Sequence, residues 1–163
     1  MANKKLFLQF LAKAHRNTYA APPEIHKLHR CKTSILPEHK DFHFSEGDWE
    51  YHDSYAGVNW APGREVVFVS GKPFWAMSYQ GKHDESIADD FFQKEAFPFL
   101  RKALIAMTDD IPFRGKDGFK SDDGQFEYRF VMHGDWTYFT GHESVFFNGK
   151  EIFFQDIMGE LIK

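Results

Sequence analysis

The chain has 163 residues, 42% hydrophobic and 18% aromatic with 19 phenylalanines, enough for one domain with a real core and too apolar for a disordered chain. A net charge of −4 offers no field for nucleic acid, whose binding rests on clustered Lys and Arg. The single cysteine, Cys31, excludes an intrachain disulfide, and no apolar run approaches the roughly 18 residues of a membrane span, so a cytoplasmic protein is expected.

Leu6, Phe7, Phe10, Leu11 and Ala14 recur at helical spacing, which predicts an amphipathic helix over residues 4–15. The same run holds Gln9, Lys13, His15 and Arg16, which interrupt any signal-peptide core. Pro22-Pro23 breaks the chain, and residues 17–38 read as an irregular connection. Residues 40–55 alternate loosely, as strands around a Glu46-Gly47 turn would.

Ser70-Gly71 and Asn148-Gly149 each sit between β-rich runs and predict two-residue hairpin turns. A tight first turn pairs Val69 with Lys72, Val67 with Phe74 and Glu65 with Ala76 on one face. Val66, Phe68, Trp75, Met77 and Tyr79 then share the other face, and Pro73 suits an edge strand. Ser86 resembles a helix N-cap with Asp89 three residues on. The apolar spacing from Ile87 to Met107 predicts a helical segment, kinked or restarted at Pro98. Residues 114–124 form a polar, glycine-rich loop before a second β-rich block, 125–162.

The two β-rich blocks resemble each other. Gly47-Asp48-Trp49-Glu50-Tyr51 returns as Gly134-Asp135-Trp136-Thr137-Tyr138, and Gly63-Arg64-Glu65 through Gly71-Lys72 returns as Gly141-His142-Glu143 through Gly149-Lys150. Nine positions beyond each of those lysines stands another glycine, Gly81 or Gly159. Eleven residues, His52 to Pro62, separate the motifs in the first copy, whereas only Phe139 and Thr140 do so in the second. The expected fold is therefore one α+β domain, residues 1–163: a curved, mainly antiparallel sheet of two pseudo-repeated β-units (40–81 and 125–162). A kinked helical segment (86–108) and the N-terminal helix pack on it.

The runs Glu46-Gly47-Asp48-Trp49-Glu50-Tyr51 through Gly57, Gly63-x-Glu65-Val66-Val67, Gly71-Lys72-Pro73-x-Trp75-Ala76-Met77-x-Tyr79-x-Gly81 and Pro112-Phe113-Arg114-Gly115 resemble a domain-of-unknown-function family. The resemblance implies a domain of bacteria and archaea, found alone or behind a helix-turn-helix DNA-binding domain, with no activity to carry over. It suggests a sensing or oligomerising module.

Function commonly resides where a repeat is broken, so the 52–62 segment is the candidate functional surface. Trp49, Trp60, Trp75 and Tyr79 would line an apolar pocket, with His52, Asp53, Tyr55 and Glu65 as its polar groups; the alternative is that the aromatics simply fill the core. The repeated Asp48 and Asp135 suit turns. Glu65 and Glu143 share faces with apolar side chains and need either a partner or water near a strand end. His26, His29, Cys31, His39 and His43 form the only metal-like grouping, but lack the paired spacing of standard zinc sites. No phosphate loop, nucleophile elbow or dinucleotide fingerprint is present, and no cofactor is expected.

The leading expectation is a non-enzymatic small-molecule-binding or sensing module. The alternatives are a hydrolase or isomerase with acid–base residues in the 52–65 region, and a homo-oligomeric interaction module that pairs with a second copy.

Overall fold

The computed structural model describes residues 3–163. Helix α1 (Lys4–Asn17) starts at Asn3, whose side chain accepts the Lys5 N–H at 2.8 Å. A short α2 (Pro23–His29) follows in the segment whose prolines predicted irregular chain, with Pro23 at the helix start where its missing N–H costs nothing. Four strands come next: β1 (His39–Glu46), β2 (Trp49–Ala56), β3 (Gly63–Val69) and β4 (Lys72–His83). The helical stretch is α3 (Asp89–Phe91), a π-helical turn (Phe92–Ala96) and α4 (Phe97–Ile105). The chain then forms β5 (Phe119–Lys120), β6 (Phe126–Asp135), β7 (Tyr138–Phe147) and β8 (Lys150–Leu161).

All eight strands belong to one open antiparallel sheet in the order β1-β2-β3-β4-β8-β7-β6-β5. The β4–β8 seam pairs Trp75 with Leu161 through to His83 with Phe153, and Tyr79 faces Ile157 at its centre. Outward from that seam the neighbours match in register: Glu65 faces Met77 as Glu143 faces Gln155, and Tyr51 faces Val67 as Tyr128 faces Val145. The two Gly-Asp-Trp runs do not occupy matching joints. One turns β1 into β2, the other β6 into β7.

Both hairpin turns place a non-glycine residue in the left-handed region, Ser70 at φ 49° and Asn148 at φ 49°, followed by Gly71 and Gly149 with φ of 74° and 79°. This is the type I′ geometry that matches strand twist, and asparagine tolerates it better than serine. Ser70→Asn should therefore stabilise the fold by about 0.5 kcal/mol, within the range of optimised turn positions, measured as a rise in the urea midpoint. An unchanged or lower midpoint would show that the first turn is not limited by backbone strain.

Each hairpin also carries a bulge, at Val67/Phe68 against β4 and at Val145/Phe146 against β8. The extra residues are Phe74 and Ile152, so Val67 faces Trp75 rather than Phe74, and Glu65 faces Met77 rather than Ala76. A one-residue slip moves every later side chain to the opposite face. Trp75, Met77 and Tyr79 consequently share the face of Glu65, against the register expected from a tight turn alone. Nor is β4 an edge strand. Pro73 precedes the first residue paired to β8, Trp75, so its missing donor interrupts no seam bond.

The helices cover the face that carries Tyr51, Val67, Trp75, Tyr128 and Phe139, all buried. Phe7 of α1 packs its ring 5.4 Å from Trp75 and 5.7 Å from Trp136. On the other face Ser78, Gln80, Arg129, Val131 and His133 are exposed. Ser86 does not cap the central helical stretch. Its hydroxyl accepts from Lys150 at 3.0 Å, and the helix begins after Ala88. Pro98 sits in the first turn of α4, and the Phe97 N–H reaches back five residues to the Phe92 carbonyl. A proline there cannot donate to residue 94, and the wider π turn accommodates that break.

Candidate functional site

Glu65 and Glu143 are wholly buried in the middle of β3 and β7, not at strand ends. Each meets a cation-forming side chain from outside the sheet. The Arg114 guanidinium donates through Nε and Nη2 to the two Glu143 oxygens, both at 2.8 Å, in a bidentate pair. Tyr128 Oη donates to Glu143 Oε2 at 2.7 Å, and Arg114 Nη2 also reaches Gln155 Oε1 at 3.3 Å. Burial opposes the Arg114 charge, but Glu143 outweighs it and holds the guanidinium protonated well above its ordinary value.

His15 of α1 approaches Glu65 with Nε2 2.7 Å from Oε2, while its Nδ1 lies 2.8 Å from the Pro112 carbonyl. A carbonyl only accepts, so Nδ1 carries a proton. The second bond is then an imidazolium against a carboxylate or an imidazole against a carboxyl, with the proton in a 2.7 Å contact either way.

This half is less satisfied than the other. Glu65 Oε1, Asp53 Oδ2, Tyr51 Oη and Tyr19 Oη are buried without a hydrogen-bond partner among the described residues. Asp53 lies directly opposite Glu65 across the β2–β3 ladder, and its other oxygen accepts from Tyr79 Oη at 2.7 Å. Burial foremost, then the Glu65 charge, pushes the Asp53 carboxyl well above the ordinary carboxylate range. Burial likewise raises the Tyr19, Tyr51 and Tyr79 phenols, which stay protonated as donors. Gly63 makes the Tyr79–Asp53 bond accessible, because a Cβ there would collide with the Tyr79 phenol lying over β3.

In front of this network a cavity of about 220 Å³ opens between the sheet and α4. Its inner wall presents Tyr19, Tyr79, Arg114 and Gln155, and its sides are Phe92, Phe97, Leu100, Leu104 and Phe153. Tyr55, His26, Lys40 and Arg101 complete one flank, and Val58, Asn59 and Ala61 of the β2–β3 loop another. Arg114 stacks its guanidinium over Tyr19 at 5.2 Å and Tyr79 at 5.7 Å, so one side chain joins the ion pair to the cavity wall.

The residues singled out in the sequence divide by face and depth. Asp53, Tyr55, Glu65 and Tyr79 gather at or just behind the cavity. His52 points to the opposite face, 3.3 Å from Asp41, because neighbours alternate along a strand. Trp75 is buried in the aromatic core with its indole N–H on the Trp136 carbonyl at 3.2 Å. Trp49 stacks on Phe10 at 5.4 Å in the same layer. Trp60 is 45% exposed on the β2–β3 loop, under Lys82 at 5.2 Å, so its loop borders the cavity while its ring does not line it.

The histidines of the 26–43 stretch are dispersed. His26 packs on Phe42, His29 approaches the His43 carbonyl at 3.2 Å, and His39 the Pro37 carbonyl at 3.3 Å. His43 lies 3.5 Å from Glu50, and Cys31 is a partly exposed free thiol. Among the described residues no group of three or more His, Cys, Asp or Glu is arranged around a metal position.

The sequence reading passed over His15, Tyr19, Arg114, Tyr128 and Gln155. One signal was available: two glutamates at apolar-facing strand positions demand two cationic partners. Arg114 belongs to the Pro112-Phe113-Arg114-Gly115 run, yet its glycine-rich surroundings placed it in a polar loop, whereas it is only 4% exposed.

No helix of the described residues is long and apolar enough to cross a membrane. No curated protein and no solved structure shows significant similarity to the chain. One family profile does match, over residues 53–162, a span that includes Asp53, Glu65, Tyr79, Arg114, Glu143 and Gln155. The chain belongs to the family described as Domain of unknown function (DUF5680).

Proposed function

We propose that this protein is a non-enzymatic module that binds a small organic molecule in the cavity between the sheet and α4. The observation that carries the reading is the cavity's inner wall, where Tyr79 and Arg114 are each anchored from behind by a buried carboxyl group. Buried ion pairs and unpartnered polar atoms are costly, so a fold gains little by gathering them beside a cavity unless they orient a ligand. Helix-turn-helix attachment in bacterial and archaeal relatives, implied by the sequence resemblance, fits a sensing role.

The reading includes an ancestral duplication. The seam centred on Tyr79 and Ile157, the matched bulges and the matched Glu65/Glu143 and Tyr51/Tyr128 positions support it. On that view the second copy is the satisfied, structural half. The first has Asp53 where the second has Phe130, and its Tyr51, Asp53 and Glu65 each keep a buried oxygen without a partner among the described residues.

A thermal-shift screen against metabolites tests the binding reading, with Ala61→Trp as the control that plugs the cavity from its loop side. Compounds that give saturable shifts in the natural chain and none in the variant are expected. If every shift survives Ala61→Trp, or none is saturable, the cavity is not a ligand site. A second reading, acid–base catalysis, draws on the Tyr79 hydroxyl, which links the Asp53–Glu65 pair to the cavity as a proton route. Turnover of a bound compound, followed by NMR and lost in Tyr79→Phe, would distinguish it from binding alone.

A further inference from the structure

The cavity wall is unbalanced in charge. The chain has 24 acidic and 20 basic residues, yet among the described residues Lys40, Arg101 and Arg114 line the cavity and no Asp or Glu does. Asp53, Glu65 and Glu143 are wholly buried behind it, and the exposed Glu24 of α2 offsets part of the Arg101 charge from outside the lining. Arg114 is matched by Glu143, but among the described residues the other two cations donate only to main-chain oxygens. Lys40 Nζ donates to the Gly57 carbonyl at 3.1 Å, and Arg101 Nη2 to the Ala21 carbonyl.

These two cations belong to one neighbourhood. Lys40 lies 5.4 Å above the Tyr55 ring. The His26 imidazole is lowered to about 4 by burial foremost, then by Arg101, Arg30 and Lys40. At neutral pH this histidine is therefore uncharged and leaves Lys40 and Arg101 as the cations of this flank. On α4, Phe97, Leu100 and Leu104 stand beside Arg101 and supply an apolar wall next to its charge. A positive flank, an apolar side and a hydrogen-bonding inner end specify a molecule with the complementary parts in that order.

We infer that the ligand is a small organic carboxylate, its apolar body against α4 and its carboxylate held by Arg101 and Lys40. The inference rests on the binding reading above and adds the chemical class. The planar two-oxygen head suits the guanidinium fork of Arg101.

Calorimetric titration of the full chain with 4-phenylbutyrate and hexanoate, each beside its primary amide, tests it. Each carboxylate should bind at least tenfold more tightly than its amide at low salt. Lys40→Gln and Arg101→Gln should each weaken the carboxylate at least fivefold and leave the amide unchanged. Arg101→Lys keeps the charge without the fork and should retain part of the preference, more than Arg101→Gln does, which separates loss of charge from loss of the Ala21 contact. Equal affinity for carboxylate and amide, or a preference untouched by both glutamine variants, overturns the inference while the cavity remains a binding site. Tighter binding of phenyl phosphate than of 4-phenylbutyrate overturns the choice of carboxylate. If neither these probes nor the metabolite screen give a saturable signal that Ala61→Trp removes, the binding reading falls as well.

Discussion

Arg114→Ala is expected to lower the unfolding free energy by roughly 3–5 kcal/mol, the usual cost of removing one partner from a buried ion pair. For a chain of this size that corresponds to a fall in Tm on the order of 10 °C. The loss arises because Glu143 is wholly buried and would keep only the Tyr128 hydroxyl as a partner. Removing both charges should cost less than removing one. Arg114→Met combined with Glu143→Leu fills the same space without charge, so it should recover more than half of the single-variant loss, with Tyr128 and Gln155 forfeiting about 1 kcal/mol each. Urea melts of both singles and the double give the coupling energy directly. A loss below about 1 kcal/mol for Arg114→Ala, in the range of exposed pairs, would mean that water reaches the pair and that this network does not anchor the fold.

Asp53→Asn should have the opposite sign, and its effect should depend on pH. The folded protein keeps the Asp53 proton above the value near 3.9 at which the unfolded chain gives it up, because burial and then Glu65 raise this carboxyl. The unfolded state therefore binds fewer protons than the folded one in that window, and the natural chain loses up to about 1.4 kcal/mol per pH unit until the folded-state value is reached. Asp53→Asn abolishes that slope while leaving an oxygen for the Tyr79 hydroxyl. The two proteins should be similarly stable near pH 4, and the variant should draw ahead as pH rises to 7. Denaturation at pH 4, 5.5 and 7 measures the gap. Parallel curves would show that Asp53 ionises as freely in the folded protein as in the unfolded one. A gain in stability accompanied by weaker ligand binding is the expected signature of a polar group retained for function.

The elements set by local chemistry were legible in the sequence. The Leu6–Ala14 stripe is α1, Ser70-Gly71 and Asn148-Gly149 are hairpin turns, and the last block is strand to its end. The bulges were not, because an extra residue at Phe74 or Ile152 is defined only against the strand it faces. That omission matters to the site, since the bulge turns Tyr79 onto the face of Glu65. Strand β5 and helix α2 were also missed, being short and placed among polar or proline-containing residues.

Composition and periodicity determined that this chain folds as a mixed domain with an aromatic core, and they marked Glu65 and Glu143 as positions needing an explanation. They pointed to Asp53, Tyr55 and Tyr79 as polar groups in or near the segment between the 47–51 and 63–72 motifs, but could not separate them from His52, Trp49 or Trp75. Only tertiary structure decided that question. The β4–β8 seam joins strands roughly 75 positions apart, and His15 and Arg114 enter from a helix and a loop outside the sheet. Pairing at such separations depends on which surfaces can be buried together, a quantity that no local window of sequence contains.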